Sequence, residues 1–567
     1  MKIKLVLCLL CSILIGTNAM SQSLDFPMNP LPSSEWNLGK WKEVAEINFV
    51  PNTTQMGTKA GVGALYASSV GAAISTNRKL GEFKMKFELL QSENGECTMK
   101  LQDTYNIQFN TRADLSASNF GSLQLKDGSF KKPKQSVGRT FGLWNTVELS
   151  FIPAQNGQVA RLEYINVNGI PVLENVFLSS AFEINGVAKN RETAVTFTNI
   201  KGTTALRNVA YLAYEDKQPV KLSNLSYTLQ ETNSDDPDFT NTDKPTINGT
   251  AKDLSYDVPN DYTRYRLTYE GDLEVLESNV YAFTAVYSGQ GYLSIDGKLI
   301  AGGKFSTVRE PQTGLIELQK GTHKIKYVYQ RVWWAPVMGL YVSSGQFRPY
   351  PLSASRSVPV AKENGSIYEN PTGENAQLIR SFMMHKGVKK TEVVSVGEKS
   401  GVHYSFDLGT GSLLAAWRGD FADVTEMWYQ RGEPQIIRPL GLVTELSGDV
   451  QDFDAYMSGF EFDKYTLGDK NRPTFIFKLG DARVAKSFKP EGSALLCTTK
   501  VDSKNSTDHI IATAKAIQKL TTGVYKVDDH YLFVKDNVEI VKVDDEVTQL
   551  ISHVPAGKHE INYKIAW

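Results

Sequence analysis

Cysteine and histidine are the scarce chemistry of this chain. Only four cysteines occur in 567 residues, and two of them, Cys8 and Cys11, stand inside the apolar run at the start. The others, Cys97 and Cys497, fall in segments far apart, so a bridge would need two distant modules to meet; two separate thiols are expected. There is no CxxCH and no paired CxxC, which excludes covalently held haem and a thiolate zinc site. All seven histidines lie from His323 onward. A histidine base or histidine-rich metal site is therefore excluded from the first part of the chain unless another module reaches in. Charge of one sign is also lacking. Lysine and arginine total 61 against 62 acidic residues, a net charge of −1, with no basic tract and no long acidic run. Nucleic acid and anionic membrane are poor partners for such a surface. After the first twenty residues no run is apolar enough to span a membrane.

What is present begins with Lys2 and Lys4, an apolar run from Leu5 to Ile15, and the small-residue exit Thr17-Asn18-Ala19. This is the pattern of a secretory signal peptide, taken as 1–21 with cleavage after Ala19 or Ser21. It implies an exported chain: periplasmic, secreted or surface-associated. Residues 22–34 are rich in proline and serine and read as a leader. Two further polar, turn-forming stretches, 231–249 and 351–373, read as linkers. They leave three domains, 35–230, 250–350 and 374–567. Strand-like alternation runs through all three, so the fold class is all-β and multi-domain, a β-sandwich followed by further β modules. The most helix-like piece is short, ATAKAIQKL at 512–520. Aromatic residues make up 10 % of the chain, including 25 tyrosines; they suit strand cores, and they also suit the faces of sugars.

The clearest alternation runs from about Leu80 to Glu163: LGEFKMKFELL, CTMKLQDTYNIQFNT, GRTFGLWNTVELSF and RLEYINVNGIPVL. Apolar and polar residues exchange with period two, as on antiparallel strands with one face on a core. Its polar residues are the first candidates for chemistry: Glu88 on one strand, and Asp103, Tyr105 and Gln108 on or beside the next. On a regular strand Asp103, Tyr105 and Ile107 share a face and Gln108 points the other way, unless a bulge intervenes. Trp144 reads as a core anchor.

The ordered set FKMKFEL, DTYNIQF, FGSLQ, GLWNTVELSF, VNGIPVLENV and FTNIKGTTALRNVAYLAY resembles the 3-keto-disaccharide hydrolases from about Glu35 to Gln230. The resemblance implies a lectin-like (concanavalin-like) β-sandwich and an oxidised glycoside as substrate. Many members carry a histidine in a short loop that aligns with residues 198–202; this chain has none there. Carboxylate and amide chemistry remains, with Glu88, Asp103 and Gln108 as the candidate catalytic residues and Tyr105 and Arg112 as substrate-binding donors. A keto group at C3 acidifies the proton at C2. A carboxylate base could remove it, the C1 group would leave by elimination, and water addition would complete a net hydrolysis. Such a route needs donors for the developing enolate oxygen.

The second module carries YAFTA, Ile295-Asp296-Gly297-Lys298 and KGTHKIKYVY in an order that resembles the PA14 domain. Asp-Gly at that place is a strong hairpin signal. Calcium-dependent sugar-binding PA14 domains have an acidic pair where this chain reads Ser288-Gly289-Gln290-Gly291, so no calcium is expected there. Trp333 and Trp334 suit packing or a sugar platform. The third module, with HYSFDLGTGSLLAAWRGDF, MWYQRG and RPLG, resembles a β-rich module that trails haem-c or PA14 domains in secreted bacterial sugar-oxidation proteins. Trp417, Arg418, Asp420, Asp423, Trp428 and Arg431 cluster within it. They suit a sugar site through stacking and bidentate hydrogen bonds, or a buried ion pair bracing a β-turn. His403, on an apolar strand, reads as a satisfied core histidine. The expected function is an exported carbohydrate-active protein, with hydrolysis of 3-keto-glycosides as the leading activity and non-catalytic glycan binding as the alternative. No metal, cofactor, nucleic acid or integral membrane segment is expected; the partner is a carbohydrate.

Overall fold

The computed structural model describes residues 26–51, 56–111, 120–125, 128–153, 159–178, 192–232, 246–258, 261–306, 310–332, 335–358, 365–428, 435–446 and 459–567. The expected signal peptide, Arg112, Trp333, Trp334 and Arg431 lie outside these residues. The fold is nearly all β. The chain divides into two compact units. One is built on Tyr214–Lys362, and the other joins Asn29–Ala213 to Glu363–Trp567.

In the second of these, Asn29–Ala213 forms a sandwich of an eight-stranded and a seven-stranded antiparallel sheet. Alternation positions its core. On the strand Glu82–Gln91, Phe83, Met85, Phe87 and Leu89 are buried while Lys84, Lys86 and Glu88 face outward. On Tyr105–Asn110 in the other sheet, Tyr105, Ile107 and Phe109 are buried. The two rows meet between the sheets. Phe87 packs edge-on against Phe109 and Phe197, with ring centroids 5.9 and 5.1 Å apart. Each such ring contributes about 1.5–3 kcal/mol by leaving water.

Glu363–Trp567 adds a five-stranded and an eight-stranded sheet with two smaller three-stranded ones. One hydrophobic cluster runs from Trp36 through Phe87 and Phe406 to Trp567, so sandwich and C-terminal module share a core. Polar clamps close the junction. Thr140 donates twice to the Trp567 carbonyl, from its amide at 3.1 Å and its hydroxyl at 2.8 Å. Gly142 must be a glycine: its φ is +77°, and a Cβ there would sit 2.2 Å from the Phe49 ring and 2.7 Å from the Tyr531 hydroxyl.

The unit Tyr214–Lys362 packs a six-stranded sheet on a four-stranded one. Its core is rich in buried tyrosine, including Tyr269, Tyr281, Tyr287, Tyr327 and Tyr329. The Asp-Gly hairpin forms as the sequence predicts: Ile295 pairs with Lys298, and Asp296 and Gly297 have φ of 50° and 78°. The Asp296 carboxylate then turns to the neighbouring strand, accepting from the Lys324 amide at 2.8 Å and meeting His323 Nδ1 at 2.6 Å.

Three sequence expectations need correction here. The strand Val220–Glu231, assigned to the first domain, pairs along its length with Tyr265–Val275 and belongs to the second unit. The expected linker 231–249 is partly strand, since Thr246–Thr250 pairs with Ser226–Gln230. The helix-like segment 512–520 is split between the strands Thr507–Ala514 and Ile517–Thr521. Ala512 and Ala514 are buried, and pairing with Thr548–Val554 overrides the helix propensity of alanine.

Candidate functional site

Glu88 lies on the outer face of its sheet, opposite the core row. Its two carboxylate oxygens accept from Arg207 Nε at 2.7 Å and Asn208 Nδ2 at 2.8 Å. Alternation alone would send Arg207 and Asn208 to opposite faces. Asn208 has a φ of +52°, a left-handed conformation that asparagine tolerates, and this break lets both side chains reach one carboxylate. Arg207 then lies over the Trp144 ring, 4.1 Å from its centroid. The arginine is held on two sides, by charge at Nε and by an aromatic face.

Arg207, Asn208 and Trp144 line a cleft of about 750 Å³ between the sandwich and the C-terminal module. The opposite wall is the hairpin of Val524–Val527 and His530–Val534, which brings Lys526, Asp528 and Asp529. Asp529 is the anchor of that wall. Its Oδ2 meets Arg139 Nη1 at 2.8 Å, and its Oδ1 accepts from the Thr444 hydroxyl at 3.0 Å. Burial works against its charge, but the bonds from His530 and Thr444 and the charges of Arg139 and His530 prevail and hold its carboxyl down at about 2. Lys526 is half-buried. Burial, and then the nearby Arg207, push its ammonium below the ordinary value. The hairpin turn carries its own support: Asp528 Oδ1 accepts from the Ala516 amide at 3.3 Å.

The residues singled out from sequence do not converge on this cleft. Glu88 stands behind Arg207 and Asn208. Asp103 is exposed in the turn before Tyr105–Asn110 with a φ of +56°, so it shares no strand face with Tyr105. Tyr105 is buried, 6.4 Å from the Phe151 ring centroid, and serves the core. Gln108 lies on the outer face of the other sheet, paired with Thr98 and Ser122. The catalytic set of Glu88, Asp103 and Gln108 is thus split between opposite outer faces of the sandwich, because each strand turns its apolar row inward. Arg112 lies outside the described residues.

The C-terminal cluster is likewise divided. Trp417 is buried, donates from Nε1 to the Phe421 carbonyl at 2.8 Å and stacks on Phe421, with ring centroids 5.9 Å apart. Arg418 is buried and donates from Nη2 to the carbonyls of Gly138 at 2.9 Å and Trp567 at 2.5 Å. Burial, with Arg139 nearby, lowers its guanidinium to about 9. Arg418 braces the junction, and Trp417 packs inside the C-terminal module. Asp420 is exposed, its amide donating to Gln135 Oε1 at 3.3 Å. Trp428 is 64 % exposed at the end of the single helical turn Thr425–Trp428. Among the described residues no group of three or more His, Cys, Asp or Glu is placed to hold a metal ion, and no helix is long and apolar enough to cross a membrane.

Sequence reasoning missed Arg207, Asn208, Lys526 and Asp529, and took Trp144 for core. The signal for Arg207 was a charged residue in the apolar run TALRNVAYLAY. For Lys526 and Asp529 there was none, since their role comes from the meeting of two distant segments.

No family model matches the chain, and no curated protein does. Among solved structures it is similar to a "putative glycosyl hydrolase" from Parabacteroides distasonis at 10 % identity, covering 32 % of this chain and 90 % of that one with a TM-score of 0.21. It is also similar to an anti-sigma factor domain-containing protein from Clostridium clariflavum, at 12 % identity over 61 % of this chain and 89 % of that one, TM-score 0.19. A third is the alpha-xylosidase from Xanthomonas citri, at 12 % identity over 50 % and 33 %, TM-score 0.20. Scores this low carry no argument about function, which rests on the cleft.

Proposed function

We propose that this chain is an exported carbohydrate-active protein and that its sugar site is the cleft bordered by Trp144, Arg207, Asn208 and the hairpin at Lys526. The carrying observation is the fixed guanidinium. Arg207 is oriented by Glu88 and by Trp144 at the wall of a cleft of about 750 Å³, a volume suited to a small ligand. Donors held in place before binding lose little entropy when they meet hydroxyl groups. Export rests on the basic, apolar and small-residue order of residues 1–21.

Of the two activities, glycan binding fits this geometry better than hydrolysis of 3-keto-glycosides. A general base needs an oxygen free to take the proton at C2. Both oxygens of Glu88 already accept from Arg207 and Asn208, and Asp103 and Gln108 lie elsewhere. The test uses the purified full chain with a panel of neutral oligosaccharides and 3-keto-glucosides. Saturable binding, lost in Arg207→Ala, with no release of reducing sugar is expected. Turnover of a 3-keto-glucoside would restore the hydrolase reading. Failure to bind any sugar would refute the cleft as the site.

A further inference from the structure

Lys526 is the charge in the cleft that the protein leaves unanswered. The acidic groups around it are committed. Asp529 is held by Arg139 and Thr444, and Glu88 by Arg207 and Asn208. Glu46 meets Lys59 at 3.3 Å. Asp528, exposed at the turn, serves the Ala516 amide. The Lys526 side chain makes no hydrogen bond or ion pair among the described residues, although it lines the cleft in a half-buried position. Withdrawing an ammonium from water without a partner is costly. Besides burial, the charge that lowers the Lys526 ammonium is another cation, Arg207, on the same cleft. Arg207 in turn uses only Nε on Glu88; its two terminal nitrogens have no partner among the described residues. Two adjacent cations facing one space repel each other, and an anion placed between them would remove that repulsion.

We propose that the cleft selects sugars carrying an acidic substituent, a carboxylate or a sulfate, held between Lys526 and the terminal nitrogens of Arg207. This rests on the reading of the cleft as a carbohydrate site and names its ligand class. Geometry favours a planar carboxylate on Arg207, because guanidinium and carboxylate match in two parallel hydrogen bonds. Lys526 acts as the point charge that answers the second side. The aromatic wall at Trp144 and the amide of Asn208 would contact the ring.

The experiment is calorimetric titration of the full chain with three oligosaccharides of equal length: one neutral, one with a uronic acid residue and one sulfated. At least tenfold tighter binding of an acidic sugar than of the neutral one is expected, shrinking as salt rises. Lys526→Gln should erase the preference, so that neutral and acidic sugars bind with similar affinity, and Lys526→Arg should keep it. The carboxylated and sulfated arms identify which anion is preferred. Equal binding of neutral and acidic sugars, or an undiminished preference in Lys526→Gln, would overturn the inference while leaving the cleft as a sugar site. Binding of no sugar at all would overturn both.

Discussion

Arg139 of the sandwich and Asp529 of the C-terminal module meet at 2.8 Å, and Arg139 Nη1 also donates to the Asp529 carbonyl at 3.1 Å. The pair fixes the hairpin that carries Lys526 against the wall that carries Arg207. Asp529 is part-solvated, with 41 % of its side chain exposed, so the pair contributes less than a buried one. Arg139→Ala should cost about 1–2 kcal/mol in chemical unfolding. The depressed carboxyl gives a sign for pH. Its contribution is present above the ordinary carboxylate value and is lost as pH falls through about 2. In Arg139→Ala the Asp529 carboxyl should titrate closer to its ordinary value, so the loss of stability on acidification should be smaller and should finish at higher pH. An unchanged acid profile would show that Arg139 does not govern Asp529.

Glu88 separates a positioning role from a catalytic one. If it orients Arg207, Glu88→Ala should weaken sugar binding by about tenfold, and Glu88→Gln, which keeps one acceptor for Arg207, by less. Stability should fall by about 1–2 kcal/mol in the alanine variant as Arg207 and Asn208 lose their acceptor. Should wild type turn over a 3-keto-glucoside, kcat in Glu88→Gln decides. A collapse of kcat with KM intact would make Glu88 a base.

How legible this was in the sequence depended on the range of the interaction. The period-two rows of FKMKFELL and YNIQF foretold their buried residues, and the Asp-Gly pair foretold its hairpin, because each depends on neighbours along one chain segment. The Val220–Glu231 strand was placed in the wrong module because its partner is Tyr265–Val275, beyond the polar stretch taken for a linker. Alternation predicted that Gln108 opposes Tyr105 on its strand; it could not show that Glu88 sits on the opposite sheet. The cleft was illegible for the same reason. Its walls are some 320 residues apart in the chain, Arg207 against Lys526, and the left-handed turn of the backbone at Asn208 has no signature in sequence.

The two thiols should behave as core residues. Cys97 and Cys497 are both free and buried. Burial pushes the Cys97 thiol up to about 12, against smaller opposing effects from the Thr198 backbone and the Thr204 hydroxyl, and it pushes Cys497 up as well. Neither should be alkylated in the native protein at pH 8, since the thiolate is the reactive form. Both should label on denaturation, as peptide mapping would report. Native labelling of Cys97 would mean that the sandwich opens on the timescale of the reaction.

His403 should make the protein sensitive to mild acid. Its Nδ1 accepts from the Glu398 amide at 3.1 Å, so the ring proton sits on Nε2, which donates to the Gly419 carbonyl at 2.9 Å. The ring is packed against Trp417 and Phe421, with centroids 5.7 and 5.1 Å away. Protonation would put a second N–H against a backbone donor, and burial, against the smaller opposing effect of the bond to the Gly419 carbonyl, pushes the imidazole down to about 4. The unfolded chain takes up its proton near pH 6.5, whereas the folded chain waits until about pH 4. Stability is therefore complete above 6.5 and is lost as pH falls from there to about 4, by about 1.4 kcal/mol per pH unit and about 3 kcal/mol in all. His403→Gln keeps a donor for Gly419 but cannot titrate. It should be less stable at pH 7 by about 1–3 kcal/mol, with a shallower decline between pH 6.5 and 4. The slope should fall by one proton and not vanish, because His509 is buried and also titrates low, at about 3. Urea unfolding at half-unit pH intervals measures both slopes, and parallel curves for wild type and His403→Gln would show that His403 is not the group that titrates.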